Sequence, residues 1–151
     1  YLITNYGYFG VVIVSFISSS TLFLPIPISS HLTVFAFSTL LNPYLVGLSA
    51  GIGTTLGELT GYAAGYGGQK LVKLREKYAK KLSRLEDLFN KYGFWLIIVF
   101  AATPLPDDLL GIFCGSIKYD LKRFIVSVFI GKTIMFTLIA LFGNSLTWLL
   151  F

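Results

Sequence analysis

Apolar residues come in blocks along this chain, separated by short polar or proline-bearing breaks. The first block covers residues 8–23. It runs into Ser18-Ser19-Ser20-Thr21 and then Pro25-Ile26-Pro27. The second, over 32–41, ends at Asn42-Pro43. The third, over 44–68, carries Gly53, Gly57, Gly61 and Gly65, each four apart and so on one helix face. Then the pattern changes. Over residues 70–91, Leu71, Leu74, Tyr78, Leu82, Leu85 and Phe89 recur at three- or four-residue spacing, with Lys and Arg filling most of the rest. That periodicity predicts an amphipathic helix, either lying on a membrane surface or acting as a solvated connector. Tyr92-Gly93 opens a further apolar run, 94–100. It breaks at Pro104-Leu105-Pro106-Asp107-Asp108 and returns over 109–117. The last block, 124–151, has Gly131, Lys132 and Gly143-Asn144 inside it.

Block length sorts these elements. A hydrocarbon core is about 30 Å thick and a helix rises about 1.5 Å per residue. The blocks over 44–68 and 124–151 are long enough to cross. The paired short blocks are not. Each pair is broken by two prolines, which stop a helix by removing a donor and restricting the preceding residue. Each pair therefore predicts a re-entrant hairpin, with tips at Pro25 and Pro27 and at Pro104 and Pro106. The glycine spacing predicts a close-packing seam of the small-xxx-small kind, either within the chain or across a homo-oligomer.

Composition sharpens the class. Of 151 residues, 55% are hydrophobic and 13% charged, about half the charged share of a soluble domain. Mean hydropathy is +0.76. These values predict an integral, multi-pass membrane protein and exclude a nucleic-acid-binding role, although the net charge is +5. The single cysteine, Cys114, rules out an internal disulfide and a cysteine metal site, and suits a small packing residue.

Charge placement gives topology. The first 57 residues contain no Asp, Glu, Lys or Arg, whereas eight of the twelve basic residues lie within 70–91 and three more at Lys118, Lys122 and Arg123. Both basic segments are expected to be cytoplasmic. The stretch between them is too short to cross twice, so it must enter and return on one side. The first hairpin then enters from the opposite face, because one spanning helix separates the two. The expected fold is an all-α membrane protein in one domain, 1–151. Two inverted repeats, about 5–68 and about 92–151, each consist of a re-entrant hairpin plus a transmembrane helix. A surface helix over about 70–91 joins them. Aligning the spanning helices on Gly57-Glu58 and Gly131-Lys132 places a glutamate in one half opposite a lysine in the other. Transporters often use this plan, with broken helices meeting near the midplane.

Paired hairpins with proline tips, a glycine-rich first span and a second hairpin closing on Cys114-Gly115 resemble the DedA family, also called the VTT-domain or SNARE-associated Golgi protein family. The resemblance covers nearly the whole chain. It implies lipid movement rather than an enzyme: phospholipid scrambling, as in eukaryotic relatives, or flipping of a polyprenyl-phosphate carrier, proton-coupled, as in bacterial ones. One departure matters. Aligning on Pro104 and Gly115 puts Ala101 and Asp107 where the family's second hairpin commonly has two arginines, so a phosphate-binding arginine pair is not carried over.

Four strongly charged side chains lie inside apolar blocks: Glu58, Asp107, Asp108 and Lys132. A charge at mid-bilayer costs roughly 2.5–3.5 kcal/mol even on gentle insertion scales, which makes each a candidate for binding a lipid headgroup or a proton. Each also has a plainer role. Glu58 and Lys132 could simply pair and pin two spans, and Asp108 could cap the return limb. Two acids sharing a proton is also the chemistry of aspartyl hydrolases, but those dyads join acids from separate elements. His31 has no partner histidine, so neither a metal nor a cofactor is expected. The expected function is a phospholipid scramblase with a polar groove between opposed hairpins. The alternatives are the polyprenyl-phosphate flippase and a non-transporting scaffold.

Overall fold

The structure, a computed structural model, describes residues 2–20, 27–68, 76–77, 79–103 and 108–150. Among these residues it is all-helical, with six helices: α1 (Leu2–Ser19), α2 (Pro27–Ser38), α3 (Pro43–Gly67), α4 (Ala79–Ala101), α5 (Asp108–Ser116) and α6 (Leu121–Leu150). One helical stretch, Leu121–Leu146, is long and apolar enough by itself to cross a membrane; the apolar part of α1, Tyr6–Ser19, is shorter. The glycines of α3 lower its hydropathy, but its 25 residues still reach about 37 Å.

Two boundaries differ from the expected ones. Residues 79–101 form one continuous helix, so the basic segment and the apolar limb after it are not separate elements at Tyr92-Gly93. A lone glycine in a helix costs only about 1 kcal/mol, which neighbouring turns absorb. Helix α1 likewise runs through Tyr6-Gly7 from Leu2. The one described proline of the breaks behaves differently from these glycines. Pro27 is the first residue of α2, a position where its missing N–H is not needed. Pro25, Pro104 and Pro106 lie outside the described residues.

Both long helices start in the same way. Asn42 caps α3, its Oδ1 accepting from the backbone N–H of Tyr44 at 3.0 Å. Asp120 caps α6, its Oδ1 accepting from Arg123 N–H at 2.8 Å. Such caps satisfy N–H groups the helix leaves without partners. The residue before each cap packs on a glycine of a neighbouring helix, α1 or α4. A Cβ on Gly7 would meet Leu41 Cδ1 at 2.8 Å, and one on Gly93 would meet the Tyr119 ring at 2.9 Å. Burial pushes the Tyr119 phenol above its ordinary pKa, with Arg123 pulling the other way.

Helix α3 is the hub, packing against α1, α5 and α6. Glycine makes each contact possible. Gly47 and Gly51 face Thr137 and Thr133 of α6, which sets the two long helices antiparallel. Gly53 and Gly57 face the α1 backbone at Val12–Phe16 and Phe16–Ser19. Gly65 faces the Ile112 backbone of α5, and α5 answers with Gly111 and Gly115 against the α3 backbone at Glu58 and Tyr62. The expected seam thus packs within the chain. Gly61 is buried alongside. The contacts also have an exchange pattern: α1 packs on α3 as α4 packs on α6, and α2 packs on α6 as α5 packs on α3.

Outward-facing positions are apolar, with Phe9, Ile13 and Ile17 exposed on α1, Leu45, Leu48 and Ile52 on α3, and Ile134, Leu138 and Phe142 on α6. A soluble monomer rarely exposes so continuous an apolar surface. The interior is unusually polar, with Ser15, Ser18, Thr54, Thr55, Glu58, Ser127 and Lys132 buried. Several of these hydroxyls bond their own helix: Thr54 and Thr55 donate to Ala50 O and Gly51 O, and Ser127 to Arg123 O. Such bonds let a hydroxyl sit in an apolar helix without an orphaned proton.

The glycine contacts generate a test. Gly115→Ala should lower stability by about 1–3 kcal/mol, because its Cβ would run into the Tyr62 carbonyl. Gly10→Ala, whose Cβ meets nothing within 4 Å, should raise stability by about 0.5–1 kcal/mol. Thermal unfolding in detergent micelles, followed by circular dichroism, reads both; equal effects of the two would refute the close-approach reading.

Candidate functional site

The junction of α3, α5 and α6 holds the one ion pair buried among the described residues. Lys132 Nζ of α6 lies 4.0 Å from Glu58 Oε1 of α3, and the two side chains are 7% and 3% exposed. The alignment of Gly57-Glu58 with Gly131-Lys132 is therefore also a spatial pairing. The preceding glycines explain the placement. Gly57 lets the end of α1 come against α3, with a Cβ there 2.7 Å from Ser19 Cβ; Gly131 lets the end of α4 come against α6, with a Cβ there 2.6 Å from Ala101 Cβ. The ends of α1 and α4 are so brought beside the pair.

The start of α5 completes the site. A Cβ on Gly111 would lie 2.9 Å from Glu58 O and 3.1 Å from its carboxylate Oε2. Only a glycine lets the first turns of α5 come so close to this carboxylate. The N-terminal end of a helix carries a partial positive charge, which favours an anion there. Glu58 thus sits between an ammonium and a helix start. From the α1 side, Ser20 Oγ lies 3.3 Å from Thr60 Oγ1, a short way further along α3.

Of the residues singled out from sequence, Glu58 and Lys132 are brought together. Asp108 is the first residue of α5, a helical position. Asp107 lies outside the described residues. His31 stands on α2, its ring 5.4 Å from that of Phe136 and tilted to it. Cys114 is buried in a cluster with Tyr62, Tyr119 and Phe124. No group of three or more His, Cys, Asp or Glu side chains suited to a metal ion occurs among the described residues. Sequence reasoning missed the role of Gly111 and of the Gly47/Gly51 pair. The signal was present in both cases: Gly47-x-x-x-Gly51 continues a small-residue spacing, and Gly111 and Gly115 are four apart.

Comparison with known proteins places the chain in a family. Residues 24–145 match the VTT domain. The chain belongs to the VTT-domain family and is a membrane protein. It is 30% identical to an uncharacterized protein of Methanocaldococcus jannaschii, over 88% of this chain and 81% of the relative. It is also 30% identical to an alkaline phosphatase-like protein of Lactococcus lactis, over 96% of this chain and 73% of the relative. No solved structure matches.

The buried pair makes a prediction of its own. Removing one partner leaves a charge buried beside its former contact, at a cost of about 3–5 kcal/mol. Lys132→Met should be strongly destabilising, and Glu58→Gln should recover part of that loss when added to it. A double-mutant cycle on unfolding midpoints in micelles measures the coupling; additive losses would mean that the pair does not interact.

Proposed function

We propose that the chain is a lipid transporter in which α1–α2 and α4–α5 are re-entrant hairpins of two inverted repeats, inserted from opposite faces. Helices α2 and α5 are about 18 Å and 14 Å long, too short to cross a bilayer. The antiparallel arrangement of α3 and α6 supports opposite entry. So do the positions of Gly7 and Gly93, each beside the start of a different long helix. The basic residues at 76–91 and 118–123 favour the cytoplasm for the face where α6 begins.

The reaction proposed is phospholipid scrambling. The observation that carries it is the buried Glu58–Lys132 pair, set where the ends of the two entering limbs meet. Opposed hairpins that do not span shorten the hydrocarbon path, and a charged pair at their meeting point gives a zwitterionic headgroup polar partners of both signs. The acyl chains stay in the surrounding lipid. Asp107 and Asp108, which the sequence pattern assigns to the second proline break, are proposed to contribute to the same path. Membrane lipids are the proposed partners, with protons as the coupled ion if the substrate is a phosphorylated polyprenyl lipid.

Proteoliposomes containing fluorescent phospholipid and a membrane-impermeant quencher test this. The wild type should exchange lipid between leaflets without an ion gradient. Glu58→Gln and Asp107→Asn should each slow exchange about tenfold, equivalent to roughly 1.4 kcal/mol on the barrier, with helicity retained. No phospholipid exchange but transport of a polyprenyl phosphate, driven by a pH gradient, would make the protein a dedicated flippase. Unchanged transport in both variants with a lowered unfolding midpoint would make the charges structural.

A further inference from the structure

A second feature lies away from the ion pair, where α3 ends and α6 begins. A groove of about 530 Å³ is lined by Leu59, Tyr62, Ala63, Tyr66 and Gly67 of α3 and by Leu121 of α6. Its walls are almost wholly apolar. A cation stands at its rim: Lys118 holds its Nζ 5.6 Å from the centre of the Tyr66 ring. Lys122, exposed in the first turn of α6, directly follows the lining residue Leu121. Asp120, the acid at that turn, is engaged as the cap of α6.

The backbone holding Lys118 is unusual. Helix α5 closes with two bonds, Lys118 N–H to Gly115 O at 3.0 Å and Tyr119 N–H to Cys114 O at 2.9 Å. That pair of bonds puts residue 118 in the left-handed conformation that glycine normally fills at a helix C-terminus. Lys118 has φ of 55°, the one positive φ at a non-glycine among the described residues. A lysine therefore occupies a position where glycine would be more comfortable, and it places its ammonium at the mouth of the groove. The loop is further fixed by Tyr62, whose hydroxyl donates to Tyr119 O at 2.5 Å.

We infer that this groove binds an anionic phospholipid of the surrounding leaflet, one acyl chain lying against Tyr62, Ala63 and Tyr66 and the phosphate held by Lys118 and Lys122. The walls suit a hydrocarbon chain, and the charge at the rim complements a headgroup of net negative charge. A zwitterionic headgroup would bring its own ammonium to the same lysines and gain less. The site is independent of whether the protein moves lipid, since it uses neither Glu58 nor Lys132.

Native mass spectrometry of the full chain, released from detergent with equimolar phosphatidylglycerol and phosphatidylcholine, tests the inference. The wild type should retain phosphatidylglycerol in preference. Lys118→Gly should cut that preference roughly fivefold, the weight of one lysine beside an anionic lipid, while raising the unfolding midpoint in lipid-free micelles because the left-handed position is relieved. That rise separates loss of binding from loss of fold. Ala63→Phe, which fills the groove, should lower retention of both lipids. Excess soluble glycerol phosphate should leave the bound lipid in place. Equal retention of the two lipids by the wild type, full preference in Lys118→Gly, full retention in Ala63→Phe, or displacement by glycerol phosphate would each overturn the assignment.

Discussion

The structure depends on how closely other backbones can approach α3. Lipid removes the usual reason for helices to associate, because a leucine gains little by leaving hydrocarbon for a protein interior of the same polarity. What remains is dispersion across close contacts and the satisfaction of polar groups. Both require short separations. Helix α3 supplies them with glycines facing α6, α1 and α5 in turn along its length. A side chain at any of these positions would push a neighbouring helix away by more than the contact can tolerate.

That constraint also explains where the charges sit. Once Gly57, Gly111 and Gly131 let three helices and the ends of two limbs converge, a small volume is closed off from lipid. A carboxylate or an ammonium exposed to hydrocarbon would be expelled or neutralised; inside this junction each has the other, and the carboxylate also has a helix start. The glycines therefore determine more than packing. They create the one environment among the described residues in which Glu58 and Lys132 can be kept in the bilayer. Several hydroxyls outside the junction instead follow the simpler rule of bonding back to their own helices.

Much of this arrangement was legible in the sequence. The short apolar blocks, the proline breaks and the four-residue glycine spacing indicated the order and kind of the helices, because each reflects a local rule about backbone geometry or span length. The pairing of Glu58 with Lys132 followed from aligning two Gly-charge dipeptides. Other features were not legible, for identifiable reasons. The continuity of α4 across Tyr92-Gly93 was missed because one glycine costs a helix only about 1 kcal/mol and does not by itself end it. Which glycine faces which helix depends on the rotation of α3 about its axis, and spacing does not encode that. Lys118 gave no sign of its conformation, since the left-handed position is dictated by how α5 must turn into α6 and not by the residue that fills it.

The exchange pattern of the contacts bears on how the chain is made. Helix α2 packs on α6, and α5 packs on α3, so each half lends its short helix to the long helix of the other. A ribosome delivers α1, α2 and α3 first. At that stage the notches at Gly47, Gly51 and Gly65 face nothing, and α2 has no long helix of the second half to lie against. The first half must be held in the membrane, incomplete, until α6 emerges last. A chain truncated before Leu121 would lack this final partner and would leave α2 and one side of α3 open, a form suited to recognition by the machinery that removes unfinished membrane proteins.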